Sequence, residues 1–219
     1  MKKTILAAII ALGSWVAVAQ QAKDGQDPKA KGVLEELSKH TRTFTTIKAD
    51  FTMTILGKDK SKKADVQKGS LQLKGEKYKL EIKGQDIFCD GKTTWTYLKD
   101  NNEVQINEVD PKGNEGVTPT NIFTIYEKGY KFAFVGESGN TQVINLFPAN
   151  PDKKKFHTIK IEIDKVKKQI TSFTVFMKDG STMEYVLSSF ITNTDMPDAR
   201  FTFDAKAHPG VEVVDLREH

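Results

Sequence analysis

The chain predicts a mainly β protein, one large antiparallel sheet with two or three short helices, and three observations carry that expectation. Apolar residues alternate with polar ones at period two in roughly ten separate segments, the mark of half-buried strands. Turn chemistry such as Lys74-Gly75, Asp90-Gly91, Asp100-Asn101-Asn102 and Asp179-Gly180 falls between those segments. Helix starts are few: Asp27-Pro28 and Thr118-Pro119 each place a capping side chain before a proline at the first helical position.

Taken in order, residues 1–19 come first. Met1-Lys2-Lys3 is a positive start, Thr4 to Ala11 an apolar run, and Ala17-Val18-Ala19 a small-x-small cleavage site before Gln20. This is the pattern of a secretory signal peptide, so residues 20–219 are expected as a single mature domain. The apolar run is too short to span a bilayer, and Gln20 in place of a cysteine implies no lipid anchor. After Asp27-Pro28, the recurrence of Val33, Leu34, Leu37 and Phe44 predicts an amphipathic helix.

From Ile47 the period changes. Ile47, Ala49, Phe51, Met53 and Ile55 alternate with Lys48, Asp50, Thr52 and Thr54, and the pattern returns at Leu71 and Leu73, at Tyr78, Leu80 and Ile82, at Trp95 and Tyr97, and at Val104 and Ile106. A meander of antiparallel strands is expected. Thr118-Pro119 then heads a short helix with Ile122, Phe123 and Tyr126 as its apolar stripe and Gly129 after its last turn. Strands resume at Tyr130 to Phe134, Val143 to Phe147, Ile159 to Ile163, Ile170 to Met177 and Met183 to Leu187. Phe201-Thr202-Phe203 and Val211 to Val214 are short apolar pieces near the end.

So little helix cannot cover so much sheet. Either the sheet closes on itself around a packed core, or it leaves an apolar concave face that short helices can only cap.

Composition narrows the function. The net charge is +4, and +2 without Lys2 and Lys3, which is too little for the concentrated basic footprint of a nucleic-acid binder. Lysines gather locally at 58–63, 153–155 and 165–168, and are read as solvated hairpin ends, with anionic lipid or an acidic partner as the alternative. Cys89 is the single cysteine, so no internal disulfide forms, and its apolar neighbour Phe88 points to a buried, inert thiol. The four histidines have no metal-ligand spacing.

Catalytic motifs fail in the same way. Gly136-Glu137-Ser138-Gly139-Asn140 lacks the second glycine of a nucleophile elbow and sits in a hairpin, and Glu35-Glu36 and Glu162/Asp164 are acidic pairs typical of solvated faces. Neither an enzyme nor a cofactor is expected.

Four segments carry a resemblance: Ala49-Asp50-Phe51-Thr52, Gly69-Ser70-Leu71-Gln72-Leu73, Lys77-Tyr78-Lys79-Leu80, and Asp90-Gly91-Lys92-Thr93-Thr94-Trp95-Thr96-Tyr97. With Thr118-Pro119, Phe201-Thr202-Phe203 and Gly210-Val211-Glu212-Val213-Val214-Asp215, their order resembles the periplasmic outer-membrane lipoprotein carrier family, LolA.

The resemblance implies an incomplete, strongly curved antiparallel β-barrel with a short helical lid over an apolar cavity for lipoprotein acyl chains. A soluble, monomeric shuttle in the periplasm is implied, taking acylated lipoproteins from an inner-membrane ATP-driven release complex to an outer-membrane receptor. The apolar phase of the strands puts Phe51, Met53, Leu73, Leu80 and Ile82 toward such a cavity, with Leu71, Tyr78, Trp95 and Ile106 expected beside them, and the lid residues expected are Leu34, Leu37, Ile122, Phe123 and Tyr126.

The chain departs from the family pattern twice. Met53 stands where many members have glutamine, and Lys74-Gly75 occupy the place of an arginine that hydrogen-bonds the lid closed, leaving Lys74 as the possible latch. The alternative on the same scaffold is a periplasmic sensor or regulatory module that binds lipid or protein with its concave face.

Overall fold

The computed structural model describes residues 26–59, 61–109 and 117–217. The expected signal peptide lies outside them. Among the described residues the architecture is mainly β, with one α-helix and twelve strands in a single open, curved sheet.

Helix α1 spans Pro28–Thr41, and the strands are β1 (Ile47–Leu56), β2 (Asp65–Lys74), β3 (Lys77–Ile82), β4 (Gln85–Cys89), β5 (Thr93–Leu98) and β6 (Glu103–Glu108), then β7 (Tyr130–Ser138), β8 (Thr141–Pro148), β9 (Phe156–Asp164), β10 (Gln169–Met177), β11 (Thr182–Thr192) and β12 (Glu212–Asp215). Their order across the sheet is β12-β6-β5-β4-β3-β2-β1-β11-β10-β9-β8-β7. Two hairpin meanders thus meet at the β1–β11 pair, where Ile47 faces Thr192 and Ile55 faces Met183. Among the described strands the ladders are antiparallel except that of β12 with β6.

The turns follow local chemistry. Asp90 Oδ1 accepts from the N–H groups of Lys92 and Thr93, and Gly91 adopts φ +96, a backbone region open to glycine.

Residues opposite one another on paired strands share a face. The registers Ala49↔Leu71↔Leu80 and Ile47↔Leu73↔Tyr78 therefore put those side chains on one face, with Phe51 over Gly69. That is the concave face, and its core includes Phe51, Met53, Leu71, Leu73, Ile144, Leu146, Ile159, Ile161, Ile163, Phe173 and Val175. Helix α1 contributes Ala30, Leu34 and Leu37 to the same core and contacts β7 and β10, so it fills the half of the concave face built by the second meander.

The opposite face of the first meander is not bare. Residues after β11 cross it through 3-10 turns at Asp198–Phe201 and Ala205–Ala207, then join the edge as β12. Phe201 is fully buried there, with Met196, Phe88 and Val104, and Phe203 packs against Phe88, Tyr97 and His208.

Two expected cavity residues belong to this side. Phe88 pairs with Trp95, which pairs with Ile106, so Trp95 and Ile106 face away from the cavity. Strand β4 separates Leu80 from Trp95 in the sheet and reverses the phase that the first strands suggested. Lys74 lies on that face too, and its Nζ donates to Met196 O at 2.9 Å and Asp198 Oδ1 at 2.9 Å. It ties down the C-terminal strap, not a lid.

The helix expected after Thr118-Pro119 is a run of turns ending in a 3-10 turn at Ile125–Glu127. Its polar side chains compete for the backbone: Asn121 Oδ1 accepts from Thr118 N at 2.8 Å, Thr118 Oγ1 accepts from Asn121 N at 3.2 Å, and Thr124 Oγ1 donates to Asn121 O at 3.4 Å. Such local bonds favour turns over continuous helix.

Candidate functional site

The half of the concave face that α1 leaves uncovered is roofed by residues 117–127. Ala49, Phe51, Leu71 and Leu80 from β1–β3 and Phe173, Tyr185 and Leu187 from β10–β11 form the floor of an apolar cavity. Val117, Thr118, Pro119, Ile122 and Phe123 form its roof. Aromatic contacts fix the floor, with Phe173 stacked on Tyr185 at 4.5 Å and Phe51 tilted against Tyr185 at 5.9 Å. The roof is held by apolar packing, Phe123 meeting Phe190 edge-on at 5.4 Å.

Of the expected site residues, Phe51, Leu71, Leu80, Ile122 and Phe123 come together around this space. Met53, Leu73, Tyr78, Ile82 and Tyr126 lie in the same continuous core without lining the void, and Leu34 and Leu37 are buried under α1. Sequence reading missed the far wall, Phe173, Tyr185 and Leu187, although each sits in the apolar phase of its strand.

The cavity volume is about 150 Å³. Small-molecule pockets typically measure about 300–1,000 Å³, so this space does not admit a long chain until the roof moves. A glycine helps shape the floor. A Cβ at Gly69 would stand 2.4 Å from Phe51 Cζ and 2.9 Å from the Glu81 carbonyl oxygen, so only glycine lets the Phe51 ring lie flat across β2.

A second, wider hollow of about 440 Å³ adjoins the cavity and shares Val117 and Tyr185 with it. Its remaining walls are Phe156, Val175, Met177, Met183 and the lysines 153–155.

The roof has a polar fastening that the sequence did not reveal. Arg42, just past α1, donates from Nε to Glu127 Oε1 at 3.2 Å and from its terminal nitrogen to Oε2 at 2.9 Å. Ser38 Oγ donates to the same carboxylate. The two-pronged Arg42 hydrogen bond, with help from Ser38, holds the Glu127 carboxyl below its ordinary value against the opposing effect of burial. Burial pushes the neighbouring Tyr126 phenol up to about 12. The partners are 85 residues apart, and no local pattern links them.

Among the described residues there is no cluster of metal-ligating side chains, and burial raises the pKa of the Cys89 thiol, which bonds Gly91 N at 3.3 Å. No helix among them is long and apolar enough to cross a membrane.

The chain thus joins an open, curved sheet to an apolar hollow under a roof of turns. The sequence matches the family described as outer membrane lipoprotein carrier protein LolA over residues 42–204. The chain belongs to the LolA family.

The chain is similar to several solved structures, and one of them shares its fold at a TM-score above 0.5. A crystal structure of an uncharacterized conserved protein from Thermus thermophilus aligns with a TM-score of 0.55 at 13% identity, covering 85% of this chain and 99% of that one. A LolA superfamily protein from Nitrosomonas europaea aligns with a TM-score of 0.44 at 14% identity, covering 80% and 98%. A putative outer membrane lipoprotein-sorting protein domain from Vibrio parahaemolyticus gives 0.41 at 12% identity, covering 78% and 97%. No curated protein sequence matches the chain.

Proposed function

We propose that this protein is a periplasmic carrier that shields the acyl chains of lipoproteins and shuttles them from the inner to the outer membrane, without enzymatic activity. The observation that carries the reading is the apolar cavity between Phe51, Leu80, Tyr185 and a roof at Ile122 and Phe123, fastened by Arg42 and Glu127. Family membership supports it, and the secretory pattern of residues 1–19 supports the compartment.

Energetics favour such a device. Each methylene exposed to water costs about 0.8 kcal/mol, so a chain of roughly fifteen carbons costs about 12 kcal/mol. Freeing it from a membrane therefore requires a shield. Roof side chains such as Ile122 and Phe123 contribute about 1.5–3 kcal/mol each, which an entering acyl chain outweighs. On this reading the partners are acylated lipoproteins, an inner-membrane ATP-driven release complex and an outer-membrane receptor.

The test is release of newly made lipoproteins from spheroplasts. Added protein should bring acylated lipoproteins into the soluble fraction in a one-to-one complex. Lipid bound by the protein without any release would instead make it a sensor on the same scaffold.

A further inference from the structure

The hollow beside the cavity differs from it in one respect: its rim is basic. Phe156, Val175, Met177, Met183 and Tyr185 make an apolar trough that continues the inner cavity at Tyr185 and Val117, and Lys153, Lys154 and Lys155 stand along its edge. The neighbouring turns add to this rim. Lys178 N donates to Lys155 O at 2.9 Å and Lys178 Nζ to Pro151 O at 2.8 Å, which pins the two turns together. Lys58 reaches the same place, its Cγ 3.7 Å from where a Cβ on Gly180 would lie.

The acidic groups on these turns are Asp59, Asp152 and Asp179. The Asp179 carboxylate is already engaged by the Ser181 hydroxyl at 2.6 Å and the Ser181 N–H at 2.9 Å. Asp59 is held in the same way by the Ser61 hydroxyl at 2.6 Å and the Ser61 N–H at 3.1 Å. Five lysines against three acids leave the rim positive, and Lys153 and Lys155 are exposed to solvent. Ordinary solvated lysines border polar surface, but these border an apolar trough of about 440 Å³.

We propose that this rim is a headgroup site, and that beside lipoprotein acyl chains the cavity takes a free amphiphile whose acyl chain lies along Met177, Met183 and Tyr185 while its anionic head rests against Lys153 and Lys155. The inference rests on the reading of the cavity as an acyl-chain site and adds the charge of what enters. A lysine ammonium is a compact point charge with rotatable donors, suited to a phosphate or carboxylate without demanding one geometry. The chemistry is an anionic head on a single chain, and the source, carboxylate or phosphate, is left to the experiment's separate arms.

The experiment uses displacement of an uncharged apolar fluorophore by four ligands of one chain length, below their aggregation limits: dodecanoate, dodecyl phosphate, dodecanol and dodecyltrimethylammonium. Exposed ion pairs are individually weak, so two lysines should favour an anionic ligand over dodecanol by about twofold to thirtyfold. That preference should fade with added salt. A K153E/K155E variant, altered only at exposed positions, should lose the preference, its anionic ligands binding no more tightly than dodecanol binds to the same variant.

A stronger effect for dodecyl phosphate identifies a phosphate head, and for dodecanoate a carboxylate. Equal displacement by all four ligands, or a preference that survives in K153E/K155E, overturns the headgroup site and leaves the acyl cavity standing. No displacement by any of them removes the acyl cavity itself, and the headgroup site with it.

Discussion

The carboxylate of Asp27 joins helix α1 to the free edge of the sheet at Phe134. Its Oδ2 accepts from Phe134 N at 3.0 Å while Oδ1 accepts from Lys29 N at 2.8 Å and Ala30 N at 3.3 Å. Asp27 N also donates to Phe132 O at 3.2 Å. One residue thus caps the helix and covers part of an edge that would otherwise offer unpaired amides to another strand.

Replacing Asp27 with alanine should remove a cap worth about 1–2 kcal/mol. For a domain of this size that lowers the melting temperature by about 2–8 °C. The D27N variant, with a single acceptor oxygen, should fall between the two. The hydrogen bond from Phe134 N is the main cause of the lowered Asp27 pKa, so the Asp27 contribution is present above its ordinary value of 3.8 and fades as pH falls through the depressed one. Thermal melts of wild type and D27A, run from neutral to acidic pH, check both points.

The roof fastening makes a kinetic prediction. R42A and E127Q should both speed the uptake of an apolar fluorophore, with little change in its final affinity, because they loosen the cover and leave the floor intact. In wild type the Glu127 pKa is lowered, chiefly by Arg42, so the fastening is complete above the ordinary value of 4.5 and weakens as pH drops below it. Stopped-flow uptake in wild type should accelerate on acidification. In E127Q that acceleration should be absent.

Gly69 should tolerate no side chain. G69A drives a methyl group into the Phe51 ring and against the Glu81 carbonyl, an overpacking that costs about 1–3 kcal/mol. Fluorophore capacity should fall with stability, since the Phe51 ring lines the cavity and its displacement reshapes the floor. Chemical denaturation and a binding titration on the same variant separate the two effects.

Covalently tying the roof to the sheet should abolish cargo uptake. Phe123 and Phe190 are in contact, and cysteines at those positions in a C89A background can be bridged by a short reversible thiol cross-linker. Uptake should stop on cross-linking and return on reduction. Unchanged uptake in the bridged protein would move the gate to α1, around Leu34 and Leu37.

Lys74 should be silent in the same assays. Its partners are Met196 O and Asp198 on the far face of the sheet, so K74A should leave fluorophore uptake at the wild-type rate. Faster uptake would restore it as a latch acting through the sheet.

The strands were legible because period-two alternation is dictated by one buried face, and Phe51, Leu71 and Leu80 followed from it directly. Alternation does not say which face is inside when both are covered. The C-terminal strap buries Phe88 and Val104 on the outer side, so Trp95 and Ile106 looked like cavity residues while facing the other way. Strand β4 escaped notice because Gln85 and Asp86 blur its pattern. The Thr118-Pro119 start was a true stop-and-turn signal, but the threonines and Asn121 around it bond the backbone locally and prevent a helix. Arg42 with Glu127 was invisible, since their meeting depends on the whole sheet being folded.

The β1–β11 pair sets the order in which this protein can be completed. Ile47 cannot meet Thr192 until nearly the entire chain is present, and β12 closes onto β6 later still. Sheets joined by such distant pairings fold slowly, because long loops must close before contacts reward them. A chain emerging from its N-terminus holds β1 as an apolar strand with an open edge throughout that interval. Its hazard is therefore greatest before residue 192 arrives, when another copy's β1 offers the same apolar surface.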